Sequence, residues 1–90
     1  MTINRWAARS DQNRNAIAEV FRAHGWMVYD LRRPVDLLAG KNGVTVLVEV
    51  KTKTGKHTKA QTSFLASWTG GPVVTVRDVE GAETVARAYG

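Results

Sequence analysis

Residues 35–40 (VDLLAG) and 44–51 (VTVLVEVK) are two apolar, largely aliphatic runs separated by Lys41-Asn42-Gly43. Asn-Gly between such runs signals a two-residue type I′ hairpin, because both central residues of that turn need positive φ. A hairpin also fixes a pairing. With Asn42 and Gly43 as the loop, Lys41 meets Val44, and every pair of opposed residue numbers sums to 85. A four-residue loop with the same centre gives the same register.

Side chains alternate across a strand, so this register sorts them onto two faces. One face collects Val35, Leu37 and Ala39 with Val46, Val48 and Val50, which is wholly apolar and belongs against a core. The other collects Asp36, Leu38, Thr45, Leu47, Glu49 and Lys51. It sets Asp36 opposite Glu49 with Cβ atoms roughly 5 Å apart, a like-charge pair that destabilises the sheet unless positive charge lies between. Lys51, diagonal to Asp36, compensates only in part.

Two readings of this cluster stand. One is a structural Asp/Glu/Lys group at a sheet edge. The other is a divalent-metal site: Mg²⁺ takes hard oxygen ligands, commonly one or two carboxylates, and keeps waters that phosphate oxygens can share. The Val50 backbone carbonyl lies between the two acidic side chains and adds a ligand if the ladder leaves it free. The Lys51 ammonium is a compact charge suited to orienting an attacking water or stabilising a pentacovalent phosphate. Such a set fits phosphodiester hydrolysis.

Ninety residues bury one modest core, so the chain reads as a single domain, 1–90, that a second copy could complete. Three tryptophans and a 43% hydrophobic fraction argue against disorder, and no run is long enough to span a bilayer. The lack of cysteine excludes disulfides and thiolate metal sites. MTINRWAARS has no apolar signal run, which points to a cytoplasmic protein. Thirteen Lys and Arg against eight Asp and Glu give a net charge of +5, which favours a polyanionic partner. That charge is local. KTKTGKHTK at 51–59 holds four lysines and no acid, whereas the last 13 residues hold three acids and one arginine.

Around the hairpin the expected element order is αβββαβα. A basic N-terminal arm, 1–10, with Arg5, Trp6 and Arg9, precedes a helix capped by Asp11 and stopped at Gly25, with Ile17, Val20 and Phe21 as its apolar stripe. WMVYDLR at 26–32 reads as a strand, and residues 58–68 as a helix with Ala60, Phe64, Leu65 and Trp68 on one side. PVVTVR at 72–77 reads as a further strand, and the segment from 78 as a last helix. The result is an α/β domain with helices on a mixed sheet.

Asp36, twelve residues, then Glu49-Val50-Lys51 on a hairpin resembles the D…(D/E)-x-K core of the PD-(D/E)XK nuclease superfamily. Nearly the whole chain, through DQNRNAIAEVFRAHGWMVYDL, VDLLAGKNGVTVLVEVKTK and TKAQTSFLASWTGGPVVTVRDVEGA, is similar to small phage-encoded VRR-NUC and Holliday-junction-resolvase-like members. The resemblance implies a restriction-endonuclease-like αβββαβ(α) core, with Asp36 and Glu49 binding Mg²⁺ or its substitute Mn²⁺. It implies Lys51 as the catalytic lysine and Gln61, on the following helix, beside the site. It further implies an endonuclease acting on branched DNA or Holliday junctions in a bacterial or phage-infected cell.

The chain departs from that pattern twice. Pro34 is separated from Asp36 by Val35, where the family has Pro adjoining the Asp; the proline shapes the strand and binds no metal. Many relatives also carry Glu in the first helix, eleven residues before its terminal Gly, where this chain has Arg14. Asp11 and Glu19 lie about a turn to either side, and the choice between them is open.

The remaining candidates each have a plain reading. Thr58-x-x-Gln61 is a capping box, and capping can coexist with lining a site. His57 is expected as a solvated loop residue and His24 as a favourable residue at a helix C-terminus. Arg32 and Arg33, with Lys53, Lys56 and Lys59, form a surface suited to following DNA phosphates. Trp6 and Trp68 are expected in the core or at a subunit contact, with base stacking as the minor alternative. A two-fold junction suits a two-fold protein, so a homodimer is expected. The competing readings are a nucleic-acid-binding module without catalysis, and a structural or inhibitory protein.

Overall fold

The structure, a computed structural model, describes residues 5–90, with side chains from residue 12 onward. Residues 1–4, and the side chains of Arg5, Trp6, Arg9 and Asp11, lie outside the described residues. The elements are α1 (Arg5–Ala23), β1 (Met27–Asp30), β2 (Leu37–Lys41), β3 (Val44–Val50), α2 (Lys59–Ser67), β4 (Val73–Val76) and α3 (Val79–Tyr89). The order is αβββαβα, as the patterning predicts.

The first helix starts earlier than its cap signal suggested. Asp11 lies inside α1 and not at its N-cap, and the segment read as an arm is helical from Arg5. The physical reason is that Arg5 to Ser10 holds good helix formers and neither glycine nor proline, so no breaker precedes Asp11. At the other end Gly25 takes φ +85 and donates its N–H to Arg22 O at 3.0 Å, which closes the helix.

Asn42 and Gly43 have φ of 50 and 82, both positive as a type I′ turn requires. β2 and β3 pair in the predicted register, Lys41 with Val44 through Leu37 with Val48. The four strands lie in chain order, β1, β2 and β3 antiparallel and β3 parallel to β4. α2 occupies the crossover that a parallel pair needs.

The inner face is the apolar one. Val28, Leu37, Ala39, Val46, Val48 and Val76 pack with Ile17, Ala18 and Phe21 of α1 and Ala82 and Ala86 of α3. Trp26 joins them, edge-on to Phe21 with centroids 5.7 Å apart, and donates its indole N–H to Ala86 O at 3.3 Å. Both helices therefore cover one side of the sheet. The opposite side carries Glu49, and there α2 is the covering helix.

α2 does not seat an apolar face as its pattern suggested. None of its residues is buried: Ala60 is exposed, Phe64 and Leu65 are half-buried, and Trp68 is 44% exposed. Trp68 is thus not a core residue; it leans on Phe64 and donates to Gly71 O at 2.8 Å. Leu38 and Leu47 of the outer sheet face line a shallow pocket with Thr45, Trp68, Gly71 and Pro72.

Candidate active site

β2 begins at Leu37, and Asp36 immediately precedes it, where the chain enters from the β1–β2 turn. That turn is closed by Leu31 N–H donating to Asp36 C=O at 2.8 Å, leaving Arg32, Arg33, Pro34 and Val35 as its tip. Asp36 Oδ2 accepts the Val50 N–H at 2.8 Å. The ladder therefore ends one residue before the expected Asp36–Glu49 pair, and the Asp36 carboxylate takes the next backbone donor itself. Val50 is held in place by this bond.

Glu49 is 2% exposed, the one buried charged residue among those described. Its Oε1 accepts from Gln61 Nε2 at 2.8 Å and lies 3.5 Å from Lys51 Nζ, whose side chain is 14% exposed. Its Oε2 is buried without a hydrogen-bond partner. Burial first, then the charge of Asp36, pushes the Glu49 carboxyl up from 4.5 to about 7; Lys51 pulls the other way and does not prevail. The two carboxyls are near enough to hydrogen-bond if one carries a proton, so they lie on the same side of the sheet.

Gln61 has both roles the sequence left open. Its Oε1 accepts the Thr58 N–H at 2.9 Å while Thr58 Oγ1 accepts the Gln61 N–H at 3.2 Å, and its Nε2 binds Glu49. One amide caps α2 and lines the site at the same time.

The basic residues lie on the segments next to those that carry this centre. Arg32 and Arg33 are exposed on the β1–β2 tip, Lys53 and Lys56 are exposed on the loop after β3, and exposed Lys59 opens α2. A cavity of about 690 Å³ lies between the tip and α2, lined by Arg32, Arg33, Pro34, Thr58, Ala60 and Gln61.

Three supporting residues were not legible beforehand. Arg77 holds the lysine loop: one guanidinium nitrogen donates to Thr52 O and Gly55 O at 2.7 Å each and to Lys53 O at 3.5 Å. Asn13 of α1 donates to Lys51 O at 3.3 Å and Arg77 O at 3.2 Å, tying the lysine's backbone to the inner helix. His57, expected in solvent, is half-buried with its ring nitrogen 3.1 Å from Thr75 Oγ1, and Thr75 is the β4 partner of Glu49. An arginine beside a strand end and an asparagine within a helix carry no local signal of such contacts.

The first helix contributes no described carboxylate. Glu19 pairs with Arg22 at 2.8 Å on the exposed side of α1, so it does not replace the expected acid. Arg14 stands where that acid was expected and lies 3.7 Å from Asp30 Oδ1. His24 is bound to Glu83 at 2.6 Å, away from the site. Among the described residues no group of three or more His, Asp and Glu gathers as metal ligands. The pair Asp36 and Glu49, with Glu49 Oε2 unpartnered, nevertheless fits a hard divalent cation, since two neighbouring carboxyls that repel when both are ionised present adjacent oxygen ligands.

A mixed sheet with this order, flanked by helices, defines a restriction-endonuclease-like α/β fold. A solved structure described as a VRR_NUC domain shares it, with a TM-score of 0.73 at 22% identity over 90% of this chain and 97% of that one. The chain thus shares the fold of that VRR_NUC domain. By sequence it matches no family model and no curated protein.

Proposed function

We propose that the chain is a metal-dependent DNA endonuclease that hydrolyses phosphodiester bonds. The observation that carries this reading is the buried Glu49 Oε2, which has no donor and sits beside the Asp36 carboxylate with Lys51 3.5 Å from the other Glu49 oxygen. A buried carboxyl held this close to a second one needs a proton or a cation between them, because an unpaired buried acceptor is costly.

In this reading Asp36 and Glu49, with the Val50 carbonyl, hold Mg²⁺ or Mn²⁺. The bound ion supplies a polarised phosphoryl oxygen and an acidified water. Lys51 directs its ammonium at the reacting phosphate and Gln61 fixes the orientation of Glu49. The exposed Arg32, Arg33, Lys53, Lys56 and Lys59 bind the DNA backbone. Branched DNA, such as a Holliday junction, is the proposed substrate, cut by a homodimer of single-domain subunits in a bacterial or phage-infected cytoplasm; the sequence resemblance supports these finer points. Among the described residues no helix is long and apolar enough to cross a membrane.

The test incubates the protein with a four-way junction and a matched linear duplex in Mg²⁺, Mn²⁺ or EDTA. Cleavage of the junction with either metal and none in EDTA supports the reading. A second reading, a nucleic-acid-binding domain without catalysis, is favoured by Arg14 standing where an acid was expected. It predicts junction binding that persists in EDTA with no turnover in any metal.

A further inference from the structure

The two arginines at the β1–β2 tip differ from the lysines in what surrounds them. Arg32 and Arg33 line the 690 Å³ cavity, whereas Lys53, Lys56 and Lys59 do not. Among the described residues neither guanidinium has an ion pair or hydrogen bond, and no carboxylate lines the cavity. We propose that this cavity is a nucleotide subsite in which Arg32 and Arg33 grip one internal phosphate of the cleaved strand, close to the scissile bond. The proposal rests on the endonuclease reading and adds to it the device that sets where the strand is cut.

Four features support a built subsite over a diffuse basic rim. The cavity falls within the roughly 300–1,000 Å³ typical of sites for small organic ligands, which suits a nucleotide better than a bare phosphate. Pro34 and Ala60 give it apolar surface for a sugar or base, while a planar guanidinium can bind two phosphate oxygens at once. Its walls are also anchored to the acidic pair. Gln61 on one wall is bonded at both ends, to Thr58 and to Glu49, and the opposite wall is closed by the Leu31 to Asp36 backbone bond. Arg32 itself has φ +70, a left-handed conformation that a non-glycine residue adopts at a cost and that clusters at functional sites.

The subsite and the lysine rim predict different responses to single-charge changes in DNA. A series of duplex arms is prepared, each with one methylphosphonate in the cleaved strand, and kcat/KM is measured for the wild type, Arg33→Gln, Arg32→Gln and Lys53→Gln. For the wild type, one position within a nucleotide or two of the cut should lose roughly tenfold, about one charge-assisted contact. Arg33→Gln and Arg32→Gln should each lose a similar factor on unmodified DNA, lose less than the wild type to methylphosphonate at that position because one guanidinium remains, and spread their cuts over neighbouring bonds. Lys53→Gln should stay sensitive there. Equal sensitivity at all positions, or losses that multiply in Arg33→Gln, would overturn the subsite.

Substrates with a 5′-phosphate or a 5′-hydroxyl at the nearest end separate the sources of phosphate. Equal rates are expected; a requirement for the terminal phosphate overturns the internal one. Arg32→Gly, which keeps the positive φ, replaces Arg32→Gln if the latter melts lower. If the wild type cuts nothing in Mg²⁺ or Mn²⁺, the endonuclease reading fails by itself. The same methylphosphonate scan is then read by binding affinity: a single sensitive position blunted by Arg33→Gln supports the subsite, and a uniform profile overturns it.

Discussion

Gln61 Nε2 lies 2.8 Å from Glu49 Oε1, and the same amide caps α2, so the outer helix and the buried carboxylate form one hydrogen-bonded unit. α2 has no buried residue of its own, which leaves this amide as a principal tie to the sheet.

Replacing Gln61 separates its two jobs. Gln61→Ala removes the reciprocal cap and the Glu49 contact, at about 1 kcal/mol for the cap alone. Gln61→Glu keeps an acceptor for the Thr58 N–H and brings a second carboxylate to Glu49. Thermal melts should place Gln61→Glu below the wild type at pH 8, with the gap narrowing at pH 5 as the carboxyls protonate. A pH-independent gap would mean that the amide serves α2 alone.

Glu49 should make stability fall with rising pH. Its pKa is raised in the fold, from 4.5 to about 7, so the folded state binds more protons between those values. The contribution is fully present below pH 4.5 and is lost as pH rises through 7, by about 3 kcal/mol at most. Glu49→Gln should flatten this slope and melt higher than the wild type at pH 8. A wild-type melting temperature that rises from pH 5 to pH 8 would contradict the buried, repelled carboxyl.

Divalent cations should reverse that loss. Ligation needs Glu49 ionised, so Mg²⁺ or Mn²⁺ should raise the melting temperature at pH 8 and much less at pH 5. Saturation near 100 times Kd is worth about 2.7 kcal/mol, or several degrees for a domain of this size. Asp36→Asn and Glu49→Gln should abolish the shift. The same shift in both variants would place the ion elsewhere.

Arg77 should control the lysine loop. With its three carbonyl contacts removed in Arg77→Ala, brief trypsin digestion should cut after Lys53 and Lys56 faster than in the wild type, while α1 and α3 stay intact. Unchanged cutting would show that the loop holds itself.

Much of this was legible because the governing rules are local. Asn42-Gly43 set a register that the ladder keeps from Lys41 to Leu37, and alternation then sorted the core from the acidic face correctly. The register stopped short at Asp36, where the side chain replaced the next ladder bond, a choice that depends on the loop before it. Asp11 misled because capping residues also occur inside helices when no breaker precedes them. The apolar pattern of α2 misled because periodicity marks a face without saying whether a deep surface awaits it. Arg77 and Asn13 act over 22 to 64 residues of sequence separation, beyond the reach of any motif.

The most direct measurement is single-turnover cleavage of a four-way junction in Mg²⁺ by wild type and Lys51→Ala, with binding of the same junction followed in parallel. Removal of the ammonium beside Glu49 should slow cleavage by roughly 10²–10⁴-fold while affinity changes little. Wild-type cleavage by Lys51→Ala would contradict the assignment of Asp36, Glu49 and Lys51 as the active site.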